Sequence, residues 1–142
     1  MAQTTDVMNG TDLGLYVHGT EGSEVLIAHA TECSISISVD LRDTTTKDSG
    51  GWQERLEGLR SGSISASYLH AEDDTNNVQN FWATVTGRTA LYFRVSTEQT
   101  GDYVWRGSCW VESIEKSAGT EDNVTYSVTL AISGAITYEE IT

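Results

Sequence analysis

Three histidines (His18, His29, His70), two cysteines (Cys33, Cys109) and one acidic run (Glu72-Asp73-Asp74) are the residues of this chain best suited to chemistry. Metal binding through His or Cys needs paired ligands at short, fixed spacing, as in H-x-x-x-H or C-x-x-C. Each His here stands alone. The two cysteines fall in strand-like segments with no partner spacing, so they read as reduced, buried thiols acting as small hydrophobes. The acidic run could hold a cation weakly, but a helix start explains it better. Gly50-Gly51 is too short to cradle a phosphate, and no Lys-Ser/Thr follows it. There is no nucleophile elbow, and no carboxylate pair is set apart by its surroundings. The chain therefore reads as a non-enzyme with no metal and no cofactor.

The elements that would position any site are mostly strands. Leu13, Leu15 and Val17 alternate, and Gly19-Thr20-Glu21-Gly22 reads as a turn. Glu24–Ala30 makes a short second strand. Cys33-Ser34-Ile35-Ser36-Ile37-Ser38-Val39-Asp40-Leu41 is apolar at every odd position, and Ile64, Ala66 and Tyr68 are apolar at even ones. Between these two strands runs a long polar excursion, Arg42 to Arg60, with one Trp and two adjacent glycines. A connection of this length is usually functional or disordered. Asp73–Asn77 marks a helix start, and Val78, Phe81, Trp82 and Val85 form an i, i+3, i+4, i+7 stripe expected to pack on a sheet. Leu91, Phe93 and Val95 define a strand. Tyr103 to Lys116 is apolar on both faces, with Trp105, Cys109 and Val111 on one and Val104, Trp110 and Ile114 on the other. A last long strand alternates through Val124, Tyr126, Val128, Leu130 and Ile132. The fold class expected is mainly β: an antiparallel sandwich of two sheets or a partly closed barrel, with one flanking α-helix and a long hairpin loop. One domain spans 1–142, with residues 1–11 an N-terminal arm.

Charge is unevenly distributed. Of 8 basic and 21 acidic residues, the stretch 42–60 holds four of each. That leaves four bases and seventeen acids elsewhere, so the whole net charge of -13 lies outside the excursion. Such a body repels nucleic acid rather than gripping it. No apolar run is long enough to span a bilayer, and Met1–Asp6 has no signal-peptide pattern, so residence in the cytoplasm of synthesis is expected. Three polar strand faces carry short hydroxyls: Ser34, Ser36 and Ser38; Ser63, Ser65 and Ser67; Thr125, Ser127 and Thr129. They read either as β-friendly surface or as a smooth wall past which something slides. Pro is missing from the chain, which leaves strand-edge amides free for pairing between subunits.

The run Arg42-Asp43-Thr44-Thr45-Thr46-Lys47-Asp48-Ser49-Gly50-Gly51-Trp52, followed by Leu56-Glu57-Gly58-Leu59-Arg60-Ser61, resembles the loop of the major tail (tail tube) proteins of long-tailed bacteriophages, in particular the TP901-1-like group. Glu57 stands where that pattern has Pro. Thr5–Leu13 and Glu121–Ser127 fit the family too. The resemblance implies a β-sandwich subunit that forms stacked hexameric rings conducting DNA from capsid to host. It implies that the loop, through Arg42, Asp43, Lys47, Asp48, Trp52, Arg55 and Arg60, contacts the adjacent ring. It implies that inner sheet faces line the channel, here the Ser34/36/38, Ser63/65/67 and Thr125/Ser127/Thr129 faces, and that Ala2–Asn9 makes arm contacts. The implied partners are the chain itself, tape-measure, tail-tip and tail-terminator proteins, and DNA in transit without specific binding. The implied location is the virion tail, assembled in the bacterial cytoplasm. Two other classes remain open at this point. One is a carbohydrate-binding β-sandwich with Trp52, Trp105 and Trp110 as sugar platforms. The other is the exported tube of a contractile secretion system.

Overall fold

A computed structural model describes residues 5–19, 22, 24–27, 30–70 and 78–142. Among the described residues the strands are β1 (Gly14–His18), β2 (Val25–Leu26), β3 (Ala30–Asp43), β4 (Arg55–Leu69), β5 (Leu91–Ser96), β6 (Tyr103–Ser117) and β7 (Thr125–Glu140), with one α-helix, α1 (Val78–Gly87), between β4 and β5. They form a single antiparallel sheet in the order β2-β1-β5-β6-β7-β4-β3. The proposed helix start Asp73–Asn77 and His29 lie outside the described residues.

The two sheets expected from the sequence are realised as one sheet that forks. β7 pairs with β4 from Leu69↔Thr125 to Ser63↔Ala131, and with β6 along nearly its whole length. Beyond Ala131 β4 leaves β7 and runs on with β3 alone. The fork coincides with a bend. Ser133 of β7 sits opposite Ser108 of β6, but the next ladder pair is Thr137 with Arg106, so β7 carries extra residues there. Such a bulge kinks a strand and increases its twist. Gly134 takes a left-handed φ of 83° within it, a conformation that glycine adopts without steric penalty.

The curved sheet wraps one core. Leu15 and Val17 of β1, Phe93 and Val95 of β5, Cys109 of β6, Val128 and Leu130 of β7, Ile64 and Tyr68 of β4, and Phe81 of α1 are buried together. Strand alternation delivers the strand residues among them to the same face, and Phe81 covers them from α1. Gly107 leaves room for the Phe93 ring at the β5–β6 crossing, where a Cβ would lie a tight 3.0 Å from it. The two ends of the sheet approach each other where β1 meets β3, yet no ladder joins them among the described residues. The barrel is therefore partly closed.

Two local expectations are corrected. The helix does not bury the whole Phe81–Trp82–Val85 stripe: Phe81 and Thr84 turn inward, whereas Trp82 is 63% exposed. Ile114 belongs to the core side with Val111, because a register shift between Val111 and Ser113 reverses the alternation of β6.

Candidate assembly surfaces

The polar excursion is mostly paired strand rather than loop. The β3–β4 ladder continues to Asp43↔Arg55, and the unpaired tip shrinks to Thr44–Glu54. Arg42, Asp43, Arg55 and Arg60 are thus strand residues. A period-2 pattern marks a strand only where one face is buried. Both faces of this segment are exposed, so the sequence carried no such signal there.

The tip is ordered by its own hydrogen bonds. Thr44 N donates to Glu54 O at 2.9 Å. Thr45 N donates to the Asp43 carboxylate at 2.9 Å, and Glu54 N donates to Thr45 Oγ1 at 2.9 Å. A short 3-10 turn over Lys47–Ser49 is closed by Thr46 N donating to Ser49 Oγ at 3.0 Å. Gly50 (φ 64°) and Gly51 (φ 85°) then reverse the chain in left-handed conformations. Hydrogen bonds from Thr45, followed by the nearby Arg55 charge, hold the Asp43 carboxyl below its usual pKa. Arg60 pairs with Glu57 and is occupied within its own strand. Lys47, Asp48 and Arg42 are exposed, and Trp52 projects with 80% of its surface in solvent. The core-side stripe of β3 also runs past the core: Ile37, Val39 and Leu41 are exposed along the arm, although Cys33 and Ile35 of the same face pack against the core.

The second surface is a hydroxyl-rich sheet face. Register brings the three stripes together. Ser34 is opposite Ser65, Ser65 is opposite Thr129, and Thr129 is opposite Ser113. Ser36 is opposite Ser63; Ser67 is opposite Ser127, and Leu69 is opposite Thr125. Ser38 and Ser61 share an Oγ–Oγ hydrogen bond of 3.0 Å. All nine candidate residues therefore lie on one face of β3, β4 and β7, opposite the core. Sequence reading missed Ser61, Ser113 and Ser117, which extend this face, Glu115, which lies between Ser113 and Ser117 opposite Ser127, and Glu32 opposite Ser67. The β6 part was hidden by the same register shift that misassigned Ile114.

The three tryptophans considered as sugar platforms do not share a surface. Trp52 is at the tip. Trp105 packs on Tyr138 with ring centroids 4.5 Å apart. Trp110 sits opposite Ala131 beside the hydroxyl face.

Cys33 and Cys109 are both free thiols. Burial raises the pKa of Cys33 and pushes that of Cys109 up to about 12, which keeps the latter protonated and unreactive at neutral pH.

Comparison with known proteins agrees with this architecture. The model of the family described as phage tail tube protein matches residues 7–138. The solved tail of an empty gene transfer agent particle, refined with C6 symmetry, superimposes with a TM-score of 0.82 at 25% identity over 94% of this chain and 99% of that one. The SPP1 tail tube superimposes with a TM-score of 0.76 at 17% identity, over 96% of this chain and 81% of that one. The anti-feeding prophage baseplate contains a similar fold, with a TM-score of 0.66 at 9% identity over 99% of both chains. No curated protein sequence matches the chain significantly. The chain belongs to the phage tail tube protein family. It is a structural subunit of a tail tube and a component of the virion tail.

Proposed function

We propose that subunits of this chain close into six-membered rings and that the β3–β4 arm joins each ring to the next. The observation that carries this reading is the arm itself. Its tip is ordered by internal hydrogen bonds, yet Trp52 stays 80% exposed and Ile37, Val39 and Leu41 keep 41%, 40% and 55% of their surface in solvent. Exposed apolar groups held on a rigid support are suited to a protein partner. The C6 symmetry of the gene transfer agent tail supports six as the ring number. Arg42, Asp43, Lys47, Asp48, Trp52, Arg55 and Arg60 form the stacking element, and the affinity is to the TP901-1-like group.

The hydroxyl face of Ser34/36/38, Ser63/65/67 and Thr125/Ser127/Thr129 lines the channel. These nine side chains are short and uncharged, and Glu32 and Glu115 on the same face repel phosphate. DNA passes such a wall without being held. Tape-measure, tail-tip and tail-terminator proteins are the further partners, and assembly takes place in the host cytoplasm. Negative-stain microscopy and sedimentation across a concentration series test the reading. Rings or tubes are expected, alone or seeded with tail tips. A strict monomer under both conditions overturns it.

A further inference from the structure

Between the body and its tip, the β3–β4 arm slips register once. Val39 pairs with Arg60 and Leu41 with Glu57, so Asp40 alone opposes both Gly58 and Leu59. This is a β-bulge, an extra residue on β4 that bends the ribbon and increases its twist. It lies beyond the fork, since β7 last pairs with β4 at Ser63. There the ribbon has only two strands among the described residues, and no third strand opposes the bend. We propose that this bulge aims the arm and so sets the rotation of each ring on the next, with Glu57, Gly58 and Arg60 as its positioning residues. The inference rests on reading the arm as the stacking element and adds what fixes its direction.

In a regular strand, residues three apart point to opposite faces. The extra residue instead puts Glu57 and Arg60 on one face, opposite Leu41 and Val39, which are two apart. There they form an ion pair that spans the bulge. The hydrogen bond from Arg60, and then its charge, hold the Glu57 carboxyl below its usual pKa. Gly58 lets the two strands close at this point, because a Cβ there would lie a tight 3.0 Å from the Asp40 carbonyl oxygen. Leu59 is 79% exposed, so the added residue does not serve packing within its own subunit. The buried residues of β4, Ile64, Ala66 and Tyr68, lie on the body side of the fork. What the bulge changes is direction. Val39 to Asp43 spans roughly 13 Å at about 3.3 Å per residue, and the tip extends further. A bend at the bulge displaces the tip sideways on that lever. In a stack built by one repeated heterologous contact, the displacement turns every ring by the same increment.

Deletion of Leu59 tests this. It restores one-to-one pairing between the fork and Asp43↔Arg55 and leaves the tip residues unchanged. Cryo-electron microscopy of assembled tubes reads the rotation between successive rings. The deletion is expected to shift that rotation by several degrees at every step. Leu59→Ala keeps the bulge and removes only the side chain, and its tubes should keep the native rotation. Gly58→Ala, which sets a Cβ against Asp40, and Glu57→Lys, which sets two bases across the bulge, should each shift the rotation in the same measurement. Monomer melting points should stay within a few degrees in all four proteins, since none of the changes touches the core. Native rotation in tubes of the deletion variant overturns the proposal. So does a shift from Leu59→Ala as large as that from the deletion, which would assign the effect to the side chain. If the deletion variant forms no tubes, Gly58→Ala and Glu57→Lys decide: native rotation in both overturns the proposal. Each of these results leaves the stacking role of the arm in place. A variant in which Asp43 and Arg55 are joined by Asn-Gly tests the parent reading: normal tubes from that tipless protein mean that the arm does not stack rings at all.

Discussion

Two hairpins of similar length behave differently in this fold. β6–β7 has 15 and 16 residues, and β3–β4 has 14 and 15. The first is flanked by β5 along Trp105–Cys109 and by β4 along Thr125–Ala131. Both ladders carry two register shifts, but this one also has the Gly134 bend, and it stays with the body throughout. The second has no strand beyond β3, loses β7 past Ser63, and continues as a free ribbon. The bulge at left-handed Gly134 coils one ribbon over the core. Without a comparable bend at the fork, the other leaves the core while keeping the same apolar stripe. Alternation therefore specifies a strand in both, but only the neighbouring strands decide whether its apolar face serves folding or assembly.

The largest expected effect is in the body. Phe93 is fully buried and its ring fills the space left open by Gly107. Phe93→Ala should destabilise the monomer by about 3–5 kcal/mol, the usual cost of removing a core aromatic. Chemical denaturation should show the midpoint fall without a change in slope. A loss below about 1 kcal/mol, where a surface substitution would lie, would break the contrast between the hairpins.

Next comes the arm. Trp52→Ala should stop tube growth while leaving the monomer melting point within a few degrees. An interface-centre Trp typically contributes about 2 kcal/mol or more to association, whereas an 80% exposed one contributes little to its own fold. Differential scanning fluorimetry beside electron microscopy separates the two. A large drop in melting point with normal tubes would assign Trp52 to the body.

A smaller effect is expected on the hydroxyl face. Duplex DNA carries about one charge per 1.7 Å of axis, so one added base per subunit is felt by the passing phosphates. Ser36→Lys or Ser65→Lys should leave tails normal in the microscope and slow DNA ejection, most clearly at low salt, where screening is weakest. Unchanged ejection from normal tails at both salt concentrations would remove these serines from the channel wall.

The amount of structure legible in the sequence differs between the same regions. Leu15, Val17, Leu91, Phe93 and Val95 could be placed because burial of one face imposes a period of two. The serine stripes could be named for the same reason, since each is the complement of a buried stripe. Their union into one surface was not legible, because register between strands distant in sequence is a tertiary property. The arm was legible as something unusual but not as strand: with both faces in water, Arg42, Asp43, Arg55 and Glu57 have no reason to alternate in polarity. Trp82 was misplaced because periodicity gives a helix an apolar side but not the width of the surface that covers it. The gap where β1 and β2 face the start of β3 was invisible, since only the curvature of the sheet brings Leu13, Leu26 and Cys33 together around it.

The smallest effect concerns the order of the tip. Thr45 N donates to the Asp43 carboxylate at 2.9 Å, and Arg55 stands opposite Asp43 in the ladder. Both favour the ionised form, so the folded pKa of Asp43 lies below the ordinary 3.8. A depressed carboxyl pKa stabilises the folded tip fully above the unfolded pKa. That contribution is lost as pH falls through the folded value. Asp43 is fully exposed and the contribution is small, so global stability should not register it. Amide exchange should. Protection at Thr44 and Thr45 should hold from neutral pH down to the ordinary carboxylate range and fall below it, after correction for intrinsic exchange. Asp43→Asn should show reduced protection already at neutral pH, with no further pH step, while amides of Ile64 and Leu130 stay unchanged in both proteins. A tip whose protection ignores both acid and the Asn substitution would be held by the backbone ladder alone, and the contrast between a self-sufficient body and a locally ordered arm would lose its electrostatic part.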